Sequence, residues 1–477
     1  MIRKPKKRSD RFRKHNYMND TMSVSRAQSS GSQVVFISLF SVVVVALGLA
    51  WILFGFSHTQ IIYAVVGIIV FAISFFSMRA GLILMALAML FSPEFSVGSI
   101  GIRDVTIRLE DVLIPVLGLA WLLQVTLRRQ FAFFASTPIN GLIGALLILS
   151  VFSTAYGFLT GWVQLINGFF YVFKTFEYFV IFFLVINCTN DEKQVEIFLW
   201  IILLTACFVG FYTLSQVPTV EIFTTHRISA PFETTPEPAT IGGYMAFLLL
   251  IILNLWLYEQ KMWLKWIHGG LFGILFVPLL YTLNRTSYMA FLAGIIFTAV
   301  ISRKRIFIYI VIGLTLTAPF WAPASVKERI AFTWEDSKNP GRTMGVDYSS
   351  QERFYAYRRM WSTGKRSPII GLGVTSWQTP DSQWARTIHE IGIVGLWLWF
   401  WIFFRLFRTS FWLFRHLATG RLKGMTLGYM AALLGIIIHG NGAITLYVVR
   451  IMEPFWFMTG IVVSLYMIKV REAKRLA

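Results

Sequence analysis

Charge is scarce in this chain, and negative charge scarcest of all. Only 14% of its 477 residues are charged, against roughly 25% in soluble domains. Asp and Glu together number 23, against 43 Lys and Arg. An ordinary water-exposed globular domain is therefore excluded. Cysteine is almost missing, and two residues, Cys188 and Cys207, cannot make a disulfide framework. Cys188 falls at the end of an apolar run and Cys207 inside one, where inert thiols are the usual case. There is no Gly-rich phosphate loop, no HExxH, no CxxC and no solenoid repeat. No metal and no organic cofactor is expected.

Long hydrophobic runs are what the chain does have. It is 56% hydrophobic and 16% aromatic, and runs near the length of a membrane span, about 20 residues, recur from Gln33 to Ile468. They predict an all-α polytopic membrane protein with about 12–14 transmembrane helices and a large extracytoplasmic loop. The expected spans lie near 33–56, 59–77, 80–92, 111–127, 138–158, 167–187, 195–216, 239–257, 264–282, 286–302, 304–320, 387–407, 425–442 and 448–468. The third is short enough to be re-entrant or partial.

The net charge of +20 does not point to nucleic acid, because the basic residues cluster beside span ends. Arg128 and Arg129, Lys193, Lys261 and Lys265, Arg303 to Arg305, Arg405 to Lys423 and Lys469 to Arg475 fall on one side. The positive-inside rule makes that side cytoplasmic, with both termini inside. The expected organisation is a basic cytoplasmic tail over 1–32, a bundle of about 11 spans over 33–320, a large outer loop over 321–386, C-terminal spans over 387–468 and a tail over 469–477. The N-terminal arm MIRKPKKRSDRFRKHNYMND is followed by polar Ser and Gln before any apolar run, so it is not a cleavable signal peptide. It is suited to touching anionic lipid headgroups. The Asn-x-Ser/Thr triplets at Asn19, Asn187 and Asn284 lie in or beside membrane or cytoplasmic segments and do not imply glycosylation.

Polar residues inside so apolar a chain are the candidates for function, since a charge at membrane depth is costly unless paired or wet. Arg285 sits in a tight connection between two runs, and Arg227 in the outer segment before the eighth. Two guanidinium forks on the outer face suit phosphate oxygens; the alternative is snorkelling to headgroups. Asp381, at a loop-to-helix junction, is either a general base or an N-cap. Glu390, expected with Asp381 to be catalytic, follows inside the helix beside His389, placed to orient substrate or to pair with an arginine. In the outer loop, SSQERFYAYRRMWSTG predicts a helix with Phe354, Tyr357 and Trp361 on one stripe and Arg353, Arg358 and Arg359 interleaved. Such a stripe fits the membrane surface, a cavity cap or simple packing on the bundle. Lys174 with Glu177, and Arg450 with Glu453, are three apart and can meet on one helical face. They either neutralise each other or, with His439, line a polar cavity or proton path.

Four stretches in order carry a resemblance: HRISAPFETTPEPATIGGYMAF, NRTSYMAFLAG, ERFYAYRRMWSTGKRSPIIGLGVTSW and DSQWARTIHEIGIVGLWLW. Together they resemble the bacterial O-antigen polymerase and O-antigen ligase superfamily over roughly 220–400. The resemblance implies a GT-C-like glycosyltransferase architecture in the inner membrane. It also implies a site on the periplasmic face, an undecaprenyl-diphosphate-linked glycan as donor, and a chain-length regulator and flippase as partners beside membrane lipids. It assigns Arg227 and Arg285 to the lipid diphosphate, Arg353 to the loop helix, Gly371 and Gly373 to a turn, and Glu390 to the glutamate before Gly-x-x-Gly. Asp381 stands where ligases carry His, and Ser382 where Asn is common. That departure favours a polymerase with Asp381 as base. The alternatives are a ligase that passes glycan to lipid A-core, a transporter of bicarbonate or another small anion, and, on a weaker motif fit, a peptidoglycan polymerase.

Overall fold

A backbone that cannot reach water must satisfy its own N–H and C=O groups, and an unbroken apolar run does so as a helix. The computed structural model describes residues 58–92, 94–100, 103–127, 135–220, 227–233, 237–302, 323–335, 348–377 and 382–476, with isolated positions between 309 and 320. The first helices are α1 (His58–Phe76) and α2 (Met78–Phe91), followed by an antiparallel hairpin of β1 (Glu94–Ile100) and β2 (Arg103–Arg108). Then come α3 (Leu109–Leu127), α4 (Asn140–Leu159), α5 (Leu165–Cys188), α6 (Glu192–Gln216), α7 (Pro238–Tyr258), α8 (Met262–Tyr281) and α9 (Arg285–Ser302). The segment between α9 and α12 carries α10 (Ala324–Glu335) and α11 (Tyr348–Gly364), and α12 (Gln383–His416), α13 (Arg421–His439) and α14 (Val449–Leu476) follow. Among the described residues ten helices, α3 to α9 and α12 to α14, are long and apolar enough to cross a membrane. The chain is an all-α polytopic membrane protein, with one small hairpin among the described residues. The first and eleventh expected spans and the basic tail fall outside, or almost wholly outside, the described residues. Helix α11 matches the helix expected in the outer loop; α10 and the hairpin were not foreseen.

The chain divides into two units, the division falling inside α2 at Gly81 and inside α3 at Pro115. In the smaller one, Gln124 on α3 donates its Nε2 to the Ser74 carbonyl of α1 at 3.2 Å. The larger one holds residues 82–115 and 134–477. At its centre α7 packs against α8, α9, α13 and α14, and nearly every side chain from Thr240 to Ile252 is buried. A helix apolar all round belongs in such a position. Helix α14 packs against α5, α6 and α12.

One group of ion pairs sits at one end of this bundle. Arg421 at the start of α13 pairs with Glu259 at 3.0 Å and Glu196 at 3.4 Å, and Lys469 on α14 pairs with Glu192 and, at 3.0 Å, with Glu472. These are among the positions whose basic neighbours marked one side in the sequence. Burial pushes the Glu259 carboxyl up, but the amides of Lys261 and Gln260 together with Arg421 outweigh it and hold it below its usual range.

Candidate functional site

The opposite end of the larger unit is built around a broken helix. α12 is interrupted at Gly392, whose φ of 70° and ψ of −175° are not helical. The break frees backbone groups on both sides, and the preceding strap fills them. Leu372 N and Gly373 N donate to the His389 and Glu390 carbonyls at 2.9 Å each, while Ile393 N donates to Pro368 O at 2.9 Å. Glycine is required at the crossing: a Cβ on Gly392 would lie 2.0 Å from Ile369 O, and one on Gly371 2.3 Å from Glu390 O. α4 supports the strap from behind, where Ser153 Oγ donates to Glu390 O at 2.5 Å and accepts from Gly373 N at 3.1 Å.

This frame positions a buried carboxylate. Glu390 accepts from Arg386 Nε at 3.0 Å and Thr375 N at 2.9 Å on one oxygen, and from the Tyr447 hydroxyl at 2.6 Å on the other. The Arg386 guanidinium lies 3.7 Å from the centre of the Tyr447 ring. Burial first, then the neighbouring carboxylate, holds the Tyr447 phenol well above its usual range, so it remains a proton donor. His389 bridges outward, with Nδ1 3.1 Å from Ser376 Oγ and Nε2 3.0 Å from Thr363 Oγ1 at the end of α11. Arg386 and Tyr447 were missed in the sequence. Arg386 stands four residues before Glu390, the spacing of a helical ion pair, and that was the available signal; Tyr447 is 57 residues away and left none.

A second polar cluster forms at the N-terminus of α9. Asn284 caps the helix, its Oδ1 accepting from Ser287 N at 2.9 Å and from Ser287 Oγ at 3.1 Å. Ser287 Oγ lies 3.3 Å from His439 Nε2, and His439 Nδ1 lies 2.8 Å from Thr445 Oγ1. Arg285 occupies the first turn of this helix, half-buried. From the segment between α9 and α12, Arg353 on α11 donates to Thr286 Oγ1 at 3.3 Å, and its guanidinium packs on Gly442. Arg353 thus reaches the residue that follows Arg285.

The segment 440–447 joins the two clusters. Gly442 lies under Arg353, Thr445 holds His439 and Tyr447 holds Glu390. The start of α12 is fastened to the same segment, with Gln383 N donating to Gly440 O and Leu446 N to Gln383 Oε1, both at 2.9 Å. Asp381, expected as the base, lies outside the described residues; Ser382, the first described one, caps α12, its Oγ accepting from Ala385 N at 3.4 Å.

The remaining candidates sit elsewhere. Half-buried Arg227 belongs to a segment held by Gln216, which accepts from Ser229 N at 3.0 Å, and by Arg450, which donates to Pro231 O at 2.7 Å. Arg450 also lies 3.5 Å from Leu90 O. Glu453 is fully buried and accepts no hydrogen bond among the described residues. Lys174 and Glu177 do meet, at 3.5 Å, but Lys174 also forms an ion pair with Asp111 at the head of α3. Asp111 was not foreseen. Its own Oδ2 accepts from Arg108 N at 2.9 Å and so ties the hairpin to α3 and α5. Among the described residues no group of three or more His, Cys, Asp or Glu could hold a metal ion.

Residues 270–400, from α8 through α11 to the kinked helix, match the family model described as O-antigen ligase. The stretch contains Arg285, Arg353, Arg386 and Glu390. The match supports the O-antigen ligase and polymerase superfamily, whose members are glycosyltransferase-like enzymes that handle lipid-linked glycans. It does not separate polymerase from ligase. No curated protein matches the chain.

Proposed function

We propose that this protein is a glycosyltransferase of the inner membrane that joins undecaprenyl-diphosphate-linked oligosaccharide repeat units into O-antigen or an exopolysaccharide on the periplasmic face. The observation that carries the reading is the meeting of Arg353 with Thr286, which brings arginines from two separate elements to one helix N-terminus. The departing diphosphate develops negative charge as its bond to the sugar breaks. Two guanidinium groups and the positive end of a helix dipole stabilise that charge. Arg227, in its own held segment, is assigned to the same lipid diphosphate.

In the proposed step Asp381 takes the proton of an acceptor sugar hydroxyl. The oxygen attacks the anomeric carbon from the face opposite the leaving group and forms the new C–O bond. The bond from that carbon to the phosphate oxygen breaks, and undecaprenyl diphosphate leaves with the electron pair. A single displacement of this kind inverts the anomeric centre. The donor arrives with its own leaving group, so the step as written calls for no metal ion. Glu390, fully engaged by Arg386, Thr375 and Tyr447, acts as a positioning residue that fixes the start of α12 against segment 440–447. A chain-length regulator and a flippase are the partners such a polymerase requires.

The test is the surface polysaccharide of a deletion strain carrying wild-type, Arg285→Ala or Asp381→Asn protein at equal membrane levels. Wild type restores a ladder of lengths, and both variants leave single repeats. Normal polymer that fails to reach lipid A-core in the deletion strain would make the protein a ligase. An unchanged glycan pattern throughout would turn the reading to transport.

A further inference from the structure

We propose that the exposed face at the end of α11 and the turn behind it is a docking site for anionic phospholipid headgroups of the adjoining leaflet. The place of the membrane boundary comes from α12. Ile393, Trp397, Trp401 and Phe404 recur at helical spacing and are 51%, 53%, 40% and 61% exposed, a stripe that lipid must cover. The stripe begins at Ile393, whose amide is bound to Pro368 O, so the turn after α11 sits at the level where the apolar surface starts. Exposed Ile369 continues the stripe onto that turn. Across the strap, the end of α4 and the start of α5 present an exposed apolar lip of Phe158, Leu159, Leu165 and Ile166. Gly157, near the end of α4, packs directly on Leu372 O.

Two exposed cations stand on this boundary, each over an aromatic ring. Arg366 lies 5.0 Å from the centre of the Trp162 ring, and Lys365 5.8 Å from that of Trp361. Tryptophan with Lys or Arg at the edge of an apolar band is the composition of a headgroup-level anchor. The local charge is one-sided: between Tyr348 and Trp377 the only acid is Glu352, against Arg353, Arg358, Arg359, Lys365 and Arg366. The lip from Gly157 to Phe170 carries no charge at all. A phosphodiester finds two donors here, and the described stretch 348–377 offers one carboxylate, Glu352, thirteen residues before Lys365, while the lipid's acyl chains lie along the exposed stripe. This inference does not depend on which reaction the protein performs.

The test uses the full-length protein in lipid nanodiscs and the quenching of tryptophan fluorescence by bromine-labelled phosphatidylglycerol, compared with bromine-labelled phosphatidylcholine. Wild type is expected to prefer the anionic lipid, and Lys365→Gln with Arg366→Gln to lower that preference roughly thirtyfold, from the usual contribution per cation at an anionic surface. Should the double variant misfold, wild type alone decides the matter, because raised salt must weaken an electrostatic preference. Equal quenching by the two lipids, a preference untouched by salt or by the substitutions, or displacement of phosphatidylglycerol by a polyprenyl diphosphate alone would overturn the proposal.

Discussion

Replacing Glu390 by leucine strands the Arg386 guanidinium in the interior, beside a Tyr447 hydroxyl and a Thr375 amide that have lost their acceptor. Glu390 is 0% and Arg386 4% exposed, so water cannot take the place of the carboxylate without opening the helix start. Breaking a buried pair by removing one partner costs about 3–5 kcal/mol, and each stranded neutral donor adds about 1–3 kcal/mol. Removing the whole network behaves differently. With Arg386→Met, Glu390→Leu and Tyr447→Phe combined, only the Thr375 amide is left without its partner, and the expected cost falls to about 1–3 kcal/mol. The triple variant should therefore be more stable than Glu390→Leu alone, while neither supports glycan synthesis. The assay is denaturant unfolding of the purified protein in detergent micelles, followed by tryptophan fluorescence. A single variant as stable as wild type, or a triple variant less stable than the single, refutes the assignment of Glu390 to positioning.

Other outcomes follow from the same geometry. Gly392→Ala puts a Cβ 2.0 Å from Ile369 O at a positive φ, which should cost about 1–3 kcal/mol for strain alone and be read as a lowered denaturant midpoint. Asp111→Asn leaves Lys174 with Glu177 as its remaining ion-pair partner at 3.5 Å and should destabilise by up to about 3–5 kcal/mol, with Lys174→Met recovering part of the loss in a double-mutant cycle. Glu259 is held below its ordinary value in the folded protein, so its stabilisation is present above the unfolded-state pKa and fades as pH falls through the lower folded value. Glu259→Gln should accordingly melt below wild type at neutral pH, and the gap should close in acid; a gap constant with pH would contradict this.

The helices were legible because membrane depth leaves a long apolar run almost no alternative to helix: the expected spans from 59–77 to 286–302, and that near 425–442, lie within a few residues of α1 to α9 and α13, while α14 runs on to Leu476, past the span expected near 448–468. The span near 387–407 proved to be the middle of a 34-residue helix, since its polar first turn and its basic last turns read as loop. The kink at Gly392 could not be read, because no proline marks it and the sequence beyond stays apolar; it exists only through the strap that crosses it. The hairpin before α3 went unseen beside the stronger apolar signals. In the site, Arg285 was legible as a charge in a costly place and Arg353 through the loop-helix stripe and the resemblance, and the two do come to one helix end. The residues that hold the site were hidden for the opposite reason. Tyr447 and Gln383 are ordinary residues whose roles arise from contacts 57 and 63 residues away in sequence; outside the site, Asp111 likewise stands 63 residues from Lys174.

Glycosyl transfer with a lipid diphosphate as leaving group is put to the test by purified protein in liposomes supplied only with undecaprenyl-diphosphate-linked repeat units. Polymer of increasing length is expected, with one undecaprenyl diphosphate released for each bond formed and a rate lower by on the order of 10²–10³ in Arg285→Ala and in Arg353→Ala. Absence of both polymer and released diphosphate from correctly folded wild type, or unchanged rates in the two arginine variants, would contradict it.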